Sequence, residues 1–356
     1  MTTLSTKPCR NQTMECCKML AAILVVFLHV PFPGLFGQLI DCMMRFSVPL
    51  FFAVSGYFSF GVRSDKMKRR LMHIIKLNIV AILAHVAWNV LHAAYQGESI
   101  LRELRAILPP AKSLASWVFM HISPYSGQLW YLTAIAVCYA ILWAYVTFFG
   151  EEKIDYRPLY GVSVVLFAIR FVAVDLMRTI GYGIPFFFCR DGFFFGLPMV
   201  SLGIFLREHQ QRLFTNFRLT TKKLLGILLF GILLSLLQWK TYGTSELPLG
   251  ALVQTFALMQ LSLLHPRADM GSKAAAKLIG SFGYLSTSVY ILHMIVSDAY
   301  SCFAQPAVKA LAGRTESWLQ PVIVLLGSIA LSLLVKGLMH LSARLLPNLG
   351  KKKRSA

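Results

Sequence analysis

The sequence predicts an all-α membrane protein, a polytopic bundle of about ten transmembrane helices with both termini cytoplasmic. Three observations lead there. Hydrophobic residues fill 56% of the 356 positions and the mean hydropathy is +0.62. Charged residues supply only 14%, against roughly 25% in a typical globular domain. Runs of about 20 mostly apolar residues, long enough to cross a bilayer's hydrocarbon core, recur along the chain, and the basic residues gather between alternate runs. No stretch between them is long enough to fold alone in water. Residues 1–356 therefore read as a single membrane domain, with helices over 18–343 and a basic cytoplasmic tail over 344–356.

The first run, 18–34, follows Lys7 and Arg10 but shows no small-residue cleavage site, so it is expected to be a retained helix and not a signal peptide. It ends on His29 and a Pro/Gly turn. The second, 39–61, carries Arg45, Pro49, which is expected to kink it beside Arg45, and the small pair Ser55-Gly56, which suits close helix approach. The third, 72–94, follows the basic segment KMKRR and contains His85. The long segment 95–128 includes SLASWVFMH, too short to cross. It reads either as an interfacial or re-entrant helix anchored by Trp117 or as part of an acceptor site.

The fourth run, 129–149, opens on Gln128-Leu129-Trp130-Tyr131. Charges interrupt the fifth, 158–177, at Arg170 and Asp175, and the sixth, 187–206, at Arg190 and Asp191; Gly196 and Gly203 in the sixth suit close packing. The runs at 222–239 and 247–265 are more uniformly apolar, 279–302 carries His293 and Asp298, and 320–343 is the last. No internal repeat is evident, which removes one support for the inverted-repeat architecture of secondary transporters.

Basic residues set the orientation. The segments on one side (the N-terminus, 62–71, 150–157, 207–223, 266–278 and the tail from 344) hold 22 Lys and Arg. The other side holds seven: Arg102, Arg105, Lys112, Arg178, Lys240, Lys309 and Arg314. The positive-inside rule then places both termini in the cytoplasm, which an even number of spans satisfies. The formal charge of +20 is thus explained by orientation, with membrane lipid and not nucleic acid as the partner, and the tail KKKR (Lys351 to Arg354) reads as a retention cluster near anionic lipid. The seven cysteines form no CxxC pair and no metal-ligand spacing with histidine, so they read as small buried hydrophobes; no metal is expected, and no cysteine shows a base beside it.

Polar residues inside hydrocarbon are costly, and their depth is informative. His29 lies eleven residues beyond Lys18, ~16 Å along a helix, in the outer half. Arg45, Arg170, Asp175, Arg190, Asp191, His293, Asp298 and Gln128 fall in the same layer, and His85 lies at mid-span. A shared wet cavity would accommodate them. The alternative reading is that Asp175 or Asp191 braces Arg170 and Asp41 or Asp298 braces Arg45, while a buried histidine simply bonds a helix carbonyl. Histidine suits a base, with an ordinary pKa near 6.5, and a carboxylate or carbonyl on its other nitrogen would orient the ring.

Several of these motifs together resemble the acyltransferase 3 family of integral membrane O-acyltransferases. The family's first helix carries a basic residue and then an essential histidine, here KMLAAILVVFLH from Lys18 to His29. Lys18 stands where arginine is usual; it keeps the charge and loses the planar fork. The VPLFF and SGY elements appear as Val48–Phe52 and Ser55–Tyr57, behind Arg45. The basic segment appears as KMKRRLMHIIKL with Arg69 and Arg70, the middle-helix element as Gln128 to Leu132, and the late S-x-x-x-Y-x-L-H element as Ser286, Tyr290 and His293. No SGNH-type hydrolase domain is expected behind the tenth span.

The resemblance implies transfer of an acyl group, most often acetyl, from cytoplasmic acyl-CoA (acetyl-CoA) as co-substrate to a hydroxyl of a cell-surface glycan or related acceptor. It places the chain in the bacterial inner membrane. In that reading His29 is the general base, and Arg45, with Arg190 as second choice, stabilises the oxyanion. Arg190, Tyr290, His293, Trp130 and Gln128 bind substrate, and Lys18, Arg69 and Arg70 attract the donor's phosphates. The rival reading is a transporter or flippase for a lipid-linked or anionic substrate, without chemistry.

Overall fold

A computed structural model describes residues 11–101, 117, 121, 123, 125–150, 154–182, 188–267 and 273–345. No strand occurs among them. Most of the 95–128 segment and the KKKR tail lie outside the described residues, so their sequence readings do too. The helices are α1 (Gln12–His29), α2 (Gly34–Met44), α3 (Ser47–Tyr57), α4 (Ser64–Gln96), α5 (Trp130–Phe149), α6 (Arg157–Arg170), α7 (Leu197–Glu208), α8 (Gln210–Asn216), α9 (Thr221–Tyr242), α10 (Leu249–Leu264), α11 (Lys273–Ala299), α12 (Gln305–Ala312) and α13 (Glu316–Leu345).

The chain is a multi-pass, all-α membrane protein. Seven segments among the described residues are long and apolar enough to cross a membrane, and the last, Leu278–Ser342, takes in most of both α11 and α13. The sixth and eighth predicted runs form shorter helices, α7 and α10.

Local chemistry sets the boundaries that matter for the site. The first helix starts six residues before the predicted run because Asn11 caps it, accepting from the Met14 amide at 2.9 Å. It stops at His29 because Val30 precedes Pro31, and a residue before proline is driven from the helical region; Val30 is extended at φ −125°, ψ 80°. The second run breaks into α2 and α3 at Arg45-Phe46. That break sits four residues before Pro49, where a proline ring crowds the carbonyl and supplies no N–H. Arg45 thereby sits at a helix end inside the membrane layer.

Two other features place charges. The 33 residues of α4 span about 50 Å at 1.5 Å per residue, more than the hydrocarbon thickness of about 30 Å, so its first turns, with Lys66, Lys68, Arg69 and Arg70, extend past the apolar layer. After α6 the helix widens into a π turn over Phe171–Leu176.

At the centre, α1 packs along α11 and α3, and α3 crosses α7 closely. Glycine makes that crossing: a Cβ on Gly203 would lie 1.9 Å from the Ala53 carbonyl oxygen, and one on Gly56 1.9 Å from that of Val200. Backbones must separate to admit a methyl there. Gly203→Ala is expected to destabilise the protein by about 1–3 kcal/mol, the usual cost of overpacking, and Gly226→Ala, with open space around it, to leave the melting temperature in detergent unchanged. Around this centre α9 and α10 are joined by buried polar contacts, with Gln254 Nε2 donating to Ser235 Oγ at 2.9 Å.

Candidate active site

A cavity of about 450 Å³ lies among α3, α4, α5 and α11 with Lys18 of α1 on its wall. Helix direction orders its lining. Phe58, Arg69, Arg70, Tyr139 and Gly283 mark one end, and Phe51, Leu77, Tyr131 and Tyr290 the other, separated by about 12 Å for the eight residues from Arg69 to Leu77 at 1.5 Å each. The basic end gathers Lys18, Arg69 and Arg70, the three predicted phosphate ligands, and adds His73, one turn along α4. Local contacts hold them: Lys18 pairs with Glu15 at 2.8 Å, Arg69 with Asp65, and Arg70 Nη1 donates to the Phe58 carbonyl at 2.6 Å.

The other end closes on Tyr131 and Tyr290, whose rings meet edge to face at 5.5 Å. Tyr290 donates to the Gln128 carbonyl, which ties α11 to the start of α5. One turn beyond Tyr290 is His293, and its ring lies 5.1 Å from that of His29. The two predicted histidines, 264 positions apart, are therefore neighbours. His293 is fully buried. Its Nδ1 is 2.8 Å from the Tyr290 carbonyl oxygen; a carbonyl only accepts, so Nδ1 carries the proton and Nε2 carries a lone pair. That Nε2 has no partner among the described residues. A buried acceptor left unmet costs about 1–3 kcal/mol, and it sits beside His29.

The charged layer splits in two. Arg45 Nη2 donates to both Asp41 oxygens at 2.7 and 2.9 Å, and its Nη1 to Glu246 Oε2 at 2.8 Å. Arg190 Nη2 donates to Glu246 Oε1 at 2.6 Å. Arg45, Arg190 and Glu246 all act electrostatically on the His29 ring. Glu246 lies in the connection between α9 and α10. Burial alone would raise its pKa, but Arg45 and Arg190 outweigh that and hold it at about 2. A carboxylate depressed in the fold contributes stability above its unfolded value and loses it as pH falls toward that figure, so the bridge stays ionised through neutral pH.

In the second group, Arg170 and Asp175, both fully buried, pair at 3.1 Å. Asp175 also accepts from Ser245 Oγ at 2.6 Å, and Arg170 donates to the Leu247 carbonyl at 3.2 Å. This pair braces the bundle, as one of the two sequence readings has it. Asp191 caps the π turn Gly192–Gly196 through the Phe194 amide.

Not every predicted residue reaches the histidines. Trp130 packs in the core between the rings of Phe52 and Phe195, at 6.3 and 5.3 Å, and it is absent from the cavity wall. The Gln128 side chain is taken by His85, at 2.9 Å, and by Ser126. The same nitrogen, His85 Nε2, lies 3.1 Å from the Ile291 carbonyl; it accepts from Gln128 in one tautomer and donates to Ile291 in the other, the second being the helix-carbonyl role open to it in the sequence. Trp117 docks on α5, its indole donating to Thr133 Oγ1 at 3.0 Å. One expectation needs correction: Cys302 does have a base beside it, with Sγ 3.1 Å from His92 Nε2. The two are 210 positions apart and no local motif shows the pairing. Glu246 was also missed, because it stands outside the apolar runs; its only signal is a carboxylate in a short connection opposite a surplus of arginines.

A family model described as an acyltransferase domain matches residues 11–337. No curated protein and no solved structure gives a significant match.

Proposed function

The chain belongs to the acyltransferase 3 family, and from that premise we propose that it moves an acyl group, acetyl by preference, from cytoplasmic acyl-CoA to a hydroxyl of a cell-surface glycan. The observation that carries this reading is the cavity with Lys18, Arg69, Arg70 and His73 at one end and the Tyr131–Tyr290 pair at the other, one turn from His293, whose ring neighbours that of His29. Its basic end suits the phosphates of a nucleotide thioester, and its narrow, largely apolar length suits a pantetheine arm. The excess of Lys and Arg in alternate segments supports a cytoplasmic mouth and an inner-membrane location.

In the proposed reaction His29 takes the proton of the acceptor hydroxyl, whose oxygen attacks the thioester carbonyl. The C–S bond then breaks, and the departing CoA thiolate recovers the proton from the imidazolium. His293 Nε2, its lone pair left unmet beside His29, would orient the His29 ring by accepting its N–H once the ring turns toward it. Arg45 keeps Nε as a donor without a partner among the described residues, which suits an oxyanion.

The test is acetyl transfer from labelled acetyl-CoA by the purified protein, over a panel of glycan acceptors. Labelled glycan is expected with the wild type. Arg70→Gln is expected to raise the donor KM about 10-fold, in line with about 1.5–3 kcal/mol for a hydrogen bond to a charged group, with the acceptor KM unchanged. A proton-driven flux of substrate without consumption of acyl-CoA would instead favour the transporter reading.

A further inference from the structure

Glu246 belongs to the six-residue connection 243–248, and its neighbours pin that connection at three points. Arg178 donates to the Thr244 carbonyl, Ser245 to Asp175, and Arg170 to the Leu247 carbonyl. The Glu246 carboxylate therefore projects from a fixed backbone. It divides between two cations from separate elements, Arg45 at the α2–α3 break and Arg190 ahead of the π turn Gly192–Gly196.

Neutralising charge would ask only that Glu246 face Arg190, two carboxylates then meeting two cations, yet Glu246 reaches both arginines. Asp41 already meets Arg45 with both oxygens. The Arg45, Arg190 and Glu246 side chains keep 15, 27 and 25% of their surface exposed, so water screens part of their attraction. What Glu246 supplies beyond the counter-charge of Arg190 is geometry. It ties two guanidinium groups, which would otherwise repel, to one another and to a braced backbone, within electrostatic reach of His29.

We infer that Glu246 is a positioning residue for acyl transfer, holding Arg45 and Arg190 at a set spacing beside His29. The inference rests on His29 being the base. The transition state gathers negative charge on the carbonyl oxygen, and donors fixed in advance serve it without reorganisation. Misplacement by about 1 Å costs on the order of 10²-fold in rate.

The experiment compares E246Q, E246D, H29A and the double variant H29A/E246Q as monodisperse protein in acetyl transfer. E246Q is expected to lose about 100-fold in kcat, with both KM values within about two-fold of wild type, and E246D to regain about tenfold of that loss. Residues that act as a unit do not add, so H29A/E246Q is expected to be no slower than H29A. Wild-type kcat in E246Q overturns the inference, as does a loss that recurs in full on the H29A background, the mark of a purely structural defect. If E246Q aggregates, wild-type kcat in E246D overturns it instead. Full activity in H29A would fault the base assignment, and the inference would fall with it.

Discussion

Replacing His29 with alanine is expected to lower kcat for acetyl transfer by about 10²–10⁴-fold, the usual worth of general acid–base assistance, while CoA affinity stays within about two-fold. The separation follows from geometry. His29 ends α1, eleven residues beyond Lys18, and the three cationic side chains Lys18, Arg69 and Arg70 line the far end of the cavity. An isotope assay of transfer and a direct titration with CoA would report the two ends independently. Equal loss of both would mean that His29 supports the fold; an unchanged kcat would remove it as the base. His293→Phe, which deletes the buried lone pair beside His29, is expected to follow H29A in direction with a smaller loss.

Asp175→Ala is expected to destabilise the protein by about 3–5 kcal/mol, because it leaves a buried guanidinium without its counter-charge. Neither Arg170 nor Asp175 reaches solvent, and Asp175 also holds Ser245. The same change would loosen the connection that carries Glu246, so catalysis should weaken in whatever fraction remains folded. Asp65→Ala provides the control. Its partner Arg69 is 70% exposed, and exposed pairs contribute little, so thermal unfolding in detergent should show no shift. A melting temperature for Asp175→Ala equal to wild type would contradict the bracing role.

Much of the helical frame can be read from the chain, because apolar length and proline chemistry act locally. His29 ends its helix through Val30-Pro31, and Pro49 breaks the second run four residues earlier, at Arg45. Lys18, Arg69 and Arg70 are grouped by the family resemblance, with which their depth agrees. The sequence offers the Arg170–Asp175 pair as one reading, although residues five apart diverge on an α-helix. The π turn after Arg170, with its i→i+5 geometry, is what realigns them. The His29–His293 and Cys302–His92 neighbours depend on how distant helices pack, and no periodicity within one helix encodes that. Trp130 illustrates the converse: its place at the mouth of a helix suits a binding role by sequence, and its packing against Phe52 and Phe195 shows only in the fold. Glu246 escaped because depth arguments weigh charges inside apolar runs and overlook those in the connections.

The most direct test of the central claim, that a thioester donor reaches the histidine pair through the bundle, is a cryo-EM structure of the protein with CoA bound. The account predicts phosphate density beside Lys18, Arg69 and Arg70, and the pantetheine arm running between α3, α4, α5 and α11. The thiol would end at Tyr131 and Tyr290, with those rings displaced so that it faces His29. CoA bound elsewhere, or a thiol that stops short with His29 walled off behind an unmoved tyrosine pair, would contradict it.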